Sequence, residues 1–164
     1  MADVMRRCTP DMQPDFLADP IQAFRSRYPT LKMLDEAYGG EASKSWLYAE
    51  IVNLNEFCGC AGKMSDEQIY EIARLVTATY PYLKLSELLL FFGWLKIGRY
   101  GRFYGNIDPM IITQALLDFG KDRNMMYARL QDEAAERRRV EILARPGMTE
   151  EEYRSTKAAG VASV

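Results

Sequence analysis

"LKLSELLLFFGWLK", Leu83 to Lys96, is the stretch on which the fold turns. Leu83, Leu85, Leu88, Leu89, Phe92 and Leu95 put apolar groups on nearly every side of a helix, with Ser86 and Glu87 near its start. A helix that is hydrophobic all round is usually buried all round, so the pattern predicts a central helix over about 84–97 with others packed around it. The continuous apolar run from Leu88 to Leu95 is less than half of a membrane span and reads as core. Gly93 within it costs about 1 kcal/mol of helix propensity, which close approach by a neighbouring helix would offset.

Upstream, "SDEQ" (Ser65 to Gln68) is a capping box, and Ile69, Ile72, Leu75, Val76 and Tyr80 form the inner face of the helix behind it, ended by Pro81. From Ser43 to about Cys58, the residues Trp46, Leu47, Ile51, Leu54 and Phe57 recur at helical steps, while Lys44, Glu50 and Glu56 lie largely away from that stripe. Gly59 and Gly62 break this helix. Thr30 caps a shorter one in which Leu31, Leu34 and Tyr38 share a face, closed by Gly39 and Gly40. Asp19 and Pro20 are N-cap and first residue of a helix closed by Pro29. Residues 1–18, with Pro10, Pro14 and no periodicity, read as an extended or mobile arm.

Downstream, Asp108 and Pro109 repeat the cap pairing, and Met110, Ile112, Ala115, Leu116, Phe119, Met126 and Leu130 carry a long C-terminal helix over about 109–145. The core domain is expected over 19–130. Over 131–164 the pattern predicts a projecting charged helix with pairs such as Glu133 and Arg137, then a short last helix capped by Thr149 and a frayed tail. With no β-alternating run and no repeat, the expected fold class is all-α, a compact bundle of six to eight helices.

Composition narrows the chemistry. The 164 residues carry a formal net charge of −2, so any attraction for nucleic acid must be local. There is no histidine, which removes Ser-His-Asp, Cys-His and histidine-zinc chemistry together. Cys8, Cys58 and Cys60 cannot supply the four ligands of a structural zinc and read as packing thiols. Their odd number and the lack of a signal peptide point to a reducing, cytoplasmic setting. Asp35 and Glu36, or Glu87 with Asp118 and Asp122, read as charged helix faces rather than acid–base or metal pairs. Arg137 to Arg139 solvate a helix, and Met125, Met126 and Tyr127 pack. No catalytic residue, metal or cofactor is expected, and no membrane partner.

"IGRYGRFYGNIDP", Ile97 to Pro109, leaves two readings open. Lys96, Arg99 and Arg102 supply three positive charges before the first acid, Asp108, interleaved with Tyr100, Phe103 and Tyr104. Cations that pair phosphates beside rings that stack bases would suit single-stranded DNA, with Lys96, Arg99, Tyr100, Arg102 and Tyr104 as the binding set. Alternatively the stretch is a demanding turn: Gly98 takes the left-handed position past the central helix, and Gly101 and Gly105 serve the turn that leads to the Asp108 cap. The rings then roof the core. The glycine spacing matches neither the dinucleotide fingerprint nor the phosphate loop.

From Gly62 to Arg123 the chain resembles an uncharacterised family of short helical proteins from bacteria, their phages and mobile elements. The resemblance rests on "EIARLV", "YLKLSEL" and K-x-G-R-Y-G-x-x-Y-G-x-I-D beginning at Lys96. It implies membership and fold, with no activity to transfer. More distantly, "RLVTATYPYLKLSELLLFFGWL" is similar to the helical start of phage replicative-helicase loaders. That likeness implies a non-enzymatic accessory protein, replication-linked, binding a protein partner such as a helicase, to which the residues over 96–104 add single-stranded DNA as an optional second ligand. The competing expectation is a structural, assembly or inhibitor protein that acts through protein contacts alone. Neither the oligomeric state nor the partner's identity follows from the residues.

Overall fold

The computed structural model of the chain describes residues 6–144. Among them it has a 3-10 turn, Pro10–Met12, and seven α-helices: α1 (Gln13–Ala18), α2 (Pro20–Arg25), α3 (Leu31–Tyr38), α4 (Ala42–Phe57), α5 (Asp66–Thr79), α6 (Leu85–Lys96) and α7 (Pro109–Ala144). No strand occurs among the described residues, only the isolated bridges Thr30 to Lys84 and Gly62 to Asn106. The fold is all-α, as the helical periodicity predicts. The chain divides into two units, Met1–Met126 and Tyr127–Val164. Thr149, the short last helix and the tail fall outside the described residues.

Helix α6 is the centre of the first unit, and every residue from Leu85 to Leu95 is buried. Each large apolar side chain so buried contributes about 1.5–3 kcal/mol, and α1, α2 and α4 all pack against this one helix. Its polar first turn is buried too, because it serves a neighbour. Lys84 Nζ donates to the carbonyls of Phe24 at 2.7 Å and Ser26 at 3.1 Å. Ser86 Oγ donates to the Ala23 carbonyl at 2.8 Å. These are the acceptors that the end of α2 leaves unpaired, so one helix start closes another helix's end. Glu87 returns its carboxylate to the Lys84 N–H at 3.0 Å and takes Arg123 Nε at 3.1 Å. It is a wholly buried, paired charge, not part of an exposed charged face.

The arm expected over 1–18 needs correcting in its described part, from residue 6 on. Residues 10–18 are helical, Cys8, Gln13 and Phe16 are buried, and the Trp46 indole donates to the Cys8 carbonyl at 2.8 Å. Helix α1 is the neighbour that Gly93 admits: a β-carbon at Gly93 would fall 3.1 Å from Leu17 Cγ. The segment is too short and too broken by proline to show a period, and its order comes from what it packs on.

The caps fall where the sequence put them. Thr30 Oγ1 accepts from Met33 N–H at 3.2 Å, and both bonds of the Ser65–Gln68 box form. Asp19 is the N-cap of α2 by position, but its side chain makes no capping bond. Three apolar assignments shift. Leu75 is 46% exposed while Ala73 takes its place inside, and Tyr38 and Phe57 are also exposed. Leu75 lies one step off the Ile69, Ile72, Ala73, Val76 stripe that α5 lays on α4. Glu50, read as facing away, is 1% exposed, because α4 has neighbours on more than one side and keeps no solvent face there.

In α7, Ile112, Ala115, Leu116 and Phe119 complete the core of the first unit, with Phe119 in ring contact with Phe24, Phe91 and Trp94. Met110, expected on that seam, is 71% exposed. In the second unit Arg129 pairs with Glu133 at 3.1 Å, and Val140 and Ile142 are exposed.

Candidate functional site

The junction between α6 and α7 begins as a helix stop. Gly98 has φ 80°, and the N–H groups of Gly98 and Arg99 return to the carbonyls of Leu95 and Trp94, at 3.1 and 3.0 Å. This pair of bonds satisfies two carbonyls at the end of α6 and requires a left-handed residue at Gly98. Gly101 and Gly105 also have positive φ, 117° and 76°. Gly105 then lends its carbonyl to Gly62 N–H at 3.1 Å, and Ile107 N–H reaches the Gly62 carbonyl at 2.9 Å. Asp108 Oδ1 accepts from Met110 N–H at 2.8 Å at the start of α7.

The five residues of the expected DNA-binding set meet at one junction but are not equally free: Lys96, Tyr100 and Arg102 line its two clefts, and Lys96, Arg99 and Tyr100 are bonded to other side chains. Lys96 turns back to α4, where Nζ bonds Asn53 Oδ1 and lies 5.2 Å from the Phe57 ring centroid. Burial lowers its pKa, opposed by the nearby Glu50 carboxyl. Arg99 stacks 4.0 Å over the Trp94 ring and pairs with Asp122 at 2.9 Å. Tyr100 packs beside Phe91 and Trp94 and donates its hydroxyl to the same Asp122 oxygen at 2.9 Å. Burial, followed by that bond to a carboxylate, raises its pKa. The core is thus roofed by Tyr100, with Phe103 half-buried.

Arg102 and Tyr104 behave differently. Both are exposed, Tyr104 at 80%, and neither makes a hydrogen bond or ion pair with any described residue. Arg102 stands between two clefts. The first, about 270 Å³, is lined by Phe57, Cys58, Cys60, Leu95, Lys96, Ile97, Gly98, Gly101, Arg102 and Phe103. The second, about 370 Å³, is lined by Tyr100, Gly101, Arg102, Met110, Ile111 and Gln114. Sequence reasoning missed Phe57, Ile97 and Met110, which are 60%, 66% and 71% exposed at these clefts. Their helical spacing marked Phe57 and Met110 as core, and nothing local distinguishes a rim position from an inner one.

Asp118 pairs with Lys121 at 2.7 Å, Asp122 with Arg99, and Glu87 with Arg123, so the three acids do not converge. Asp35 accepts from the Ser43 N–H and hydroxyl at 2.8 and 2.7 Å, at the start of α4. No group of three or more candidate ligands for a metal occurs among the described residues. No described helix is long and apolar enough to cross a membrane. Burial raises the pKa of Cys58, which leaves it a weaker nucleophile than a free thiol.

No curated protein and no solved structure matches the chain. The signature from Lys96 to Asp108, the central helix and all of α7 lie within residues 63–159, which match the model of a family of unknown function, DUF6633, and the chain belongs to that family.

Proposed function

We propose that this protein is a non-enzymatic binding module that acts through protein contacts at the surface around Arg102 and Tyr104. One observation carries the reading: Arg102, Tyr104, Ile97 and Met110 are exposed and clustered on one junction, while the residues beside them are spent on internal bonds. Arginine and tyrosine with apolar neighbours are the composition of interface centres. A single-strand binder needs a track of free cations beside exposed rings, and here Lys96 is bonded to Asn53 and Arg99 and Tyr100 to Asp122, which leaves Arg102 as the one cation of that set without a bond to a described residue. Protein contact is therefore the stronger of the two ligand readings. The lack of histidine supports a role outside catalysis. For the setting we keep the one that the distant resemblance implies, an accessory protein of a phage or mobile element. Its partner is then a replication protein such as a helicase, or an assembly component.

The test is affinity capture from the native host, wild type beside a Tyr104→Ser, Met110→Ser double variant, read by mass spectrometry. A partner enriched by the wild type and lost in the folded variant is the expected result. A partner retained equally by both would remove this surface from the function.

A further inference from the structure

Resting on that reading, we propose that the two clefts flanking Arg102 receive an acidic segment of the partner protein, one that carries an apolar side chain on each side of an aspartate or glutamate. The clefts adjoin, because Gly101 and Arg102 line both. Their volumes, about 270 and 370 Å³, lie at or below the low end of small-molecule pockets and suit single side chains rather than a cofactor. Exposed apolar side chains stand in the lining of each: Phe57 and Ile97 in the first, Met110 in the second.

Charge selects between occupants. Lys96 and Arg102 line the clefts, and neither cleft is lined by an aspartate or glutamate. Lys96 is hydrogen-bonded to a neutral amide, Asn53, and Arg102 makes no ion pair with a described residue. Of the nearby carboxylates, Asp108 accepts from the Met110 N–H and Asp122 is paired with Arg99 and bonded to Tyr100. An arginine shared by two adjoining clefts, each with exposed apolar side chains in its lining, matches a carboxylate flanked by two apolar anchors, and an arginine fork can take that carboxylate with two parallel bonds. A phosphodiester strand would also satisfy the arginine, and it is the competing occupant. Cys58 and Cys60, half-buried in the wall of the first cleft, report on its occupancy.

The experiment titrates the full chain with short acetylated peptides in which two leucines, at varied separation, flank a central aspartate. Partner peptides carry lysine in place of the aspartate, and a short thymidine strand is run beside them. Saturable binding of an aspartate peptide is expected, about tenfold weaker when lysine replaces the aspartate. Arg102→Glu, at an exposed position without a partner, should reverse that order. The bound peptide should also slow alkylation of Cys58 and Cys60. Equal binding of the two peptides, no binding of any aspartate peptide, or preference for the thymidine strand overturns the proposal. If acidic peptides fail while the host partner still depends on Tyr104 and Met110, the acidic chemistry falls and the surface stands. If that dependence is absent as well, the surface falls with it.

Discussion

Arg99 closes helix α6 on Trp94 twice, through its N–H to the Trp94 carbonyl at 3.0 Å and through its guanidinium 4.0 Å over the indole ring. Asp122 on α7 holds the same guanidinium at 2.9 Å. The residue is a link between two helices, and its pair is partly exposed, so the contribution is modest. Arg99→Ala is expected to lower stability by about 1–2 kcal/mol in urea unfolding, and Arg99→Lys to restore less than half of it. An unchanged midpoint for Arg99→Ala would return the side chain to the pool of free surface cations.

Gly98 and Gly62 are constrained for different reasons. Alanine at Gly98 meets a φ of 80°, a left-handed position that costs about 1–2 kcal/mol for a residue with a β-carbon. Alanine at Gly62 meets no such strain, but its β-carbon would lie 2.7 Å from Asn106 Cβ, between the two backbone bonds that join the α4–α5 loop to the junction. Overpacking there should cost about 1–3 kcal/mol. Gly40, with nothing within 4 Å, is the control, and alanine there should change stability by less than about 0.5 kcal/mol. Thermal melts of the three variants check the order.

Glu50 makes stability depend on pH. Burial pushes its carboxyl from 4.5 up to about 7, against the opposing hydrogen bond from Gln13 and the charge of Lys96, with Asp11 raising it further. The folded state therefore binds a proton that the unfolded chain has lost between these values. The group's contribution is complete below about pH 4.5, declines as pH rises, and is lost above about 7, a change of about 3 kcal/mol. Glu50→Gln should gain on the wild type as pH rises from 5 to 8. A constant difference across that range would mean that Glu50 does not titrate within it.

Any binding to single-stranded DNA should be weakly salt-dependent. Each phosphate neutralised on a single strand contributes about −0.7 to the slope of log K against log salt. With Arg102 as the unengaged cation of the junction set, the expected slope is about −0.7 rather than the −2 of three cations. A slope near −2 that falls on Arg99→Ala would show that the strand pulls Arg99 off Asp122.

Much of the fold is legible without coordinates because its signals are local. A leucine-rich stretch apolar on every side, the Ser65–Gln68 box, the Thr30 cap and the Asp108–Pro109 start all act within a turn of the residue concerned. Three failures share a cause. Helix α1, the burial of Glu50 and the exposure of Met110 all depend on which helix lies alongside, and periodicity carries no information about a neighbour. Gly93 is the exception: it announced a close approach, and only its partner, Leu17, was hidden.

For the candidate site, the residues that make the turn and those that make the surface were both visible in Ile97 to Pro109, but not which was which. Sequence by itself determined an all-helical chain, a buried central helix and a glycine-dependent stop after it, since backbone conformation and hydrophobic period are written in adjacent residues. Tertiary structure alone decided that Arg99 and Tyr100 spend their polar groups on Asp122 while Arg102 makes no hydrogen bond or ion pair with a described residue. The reason is distance along the chain: Asp122 sits on the next helix, and only the packing of α7 against α6 brings its carboxylate within 2.9 Å of both.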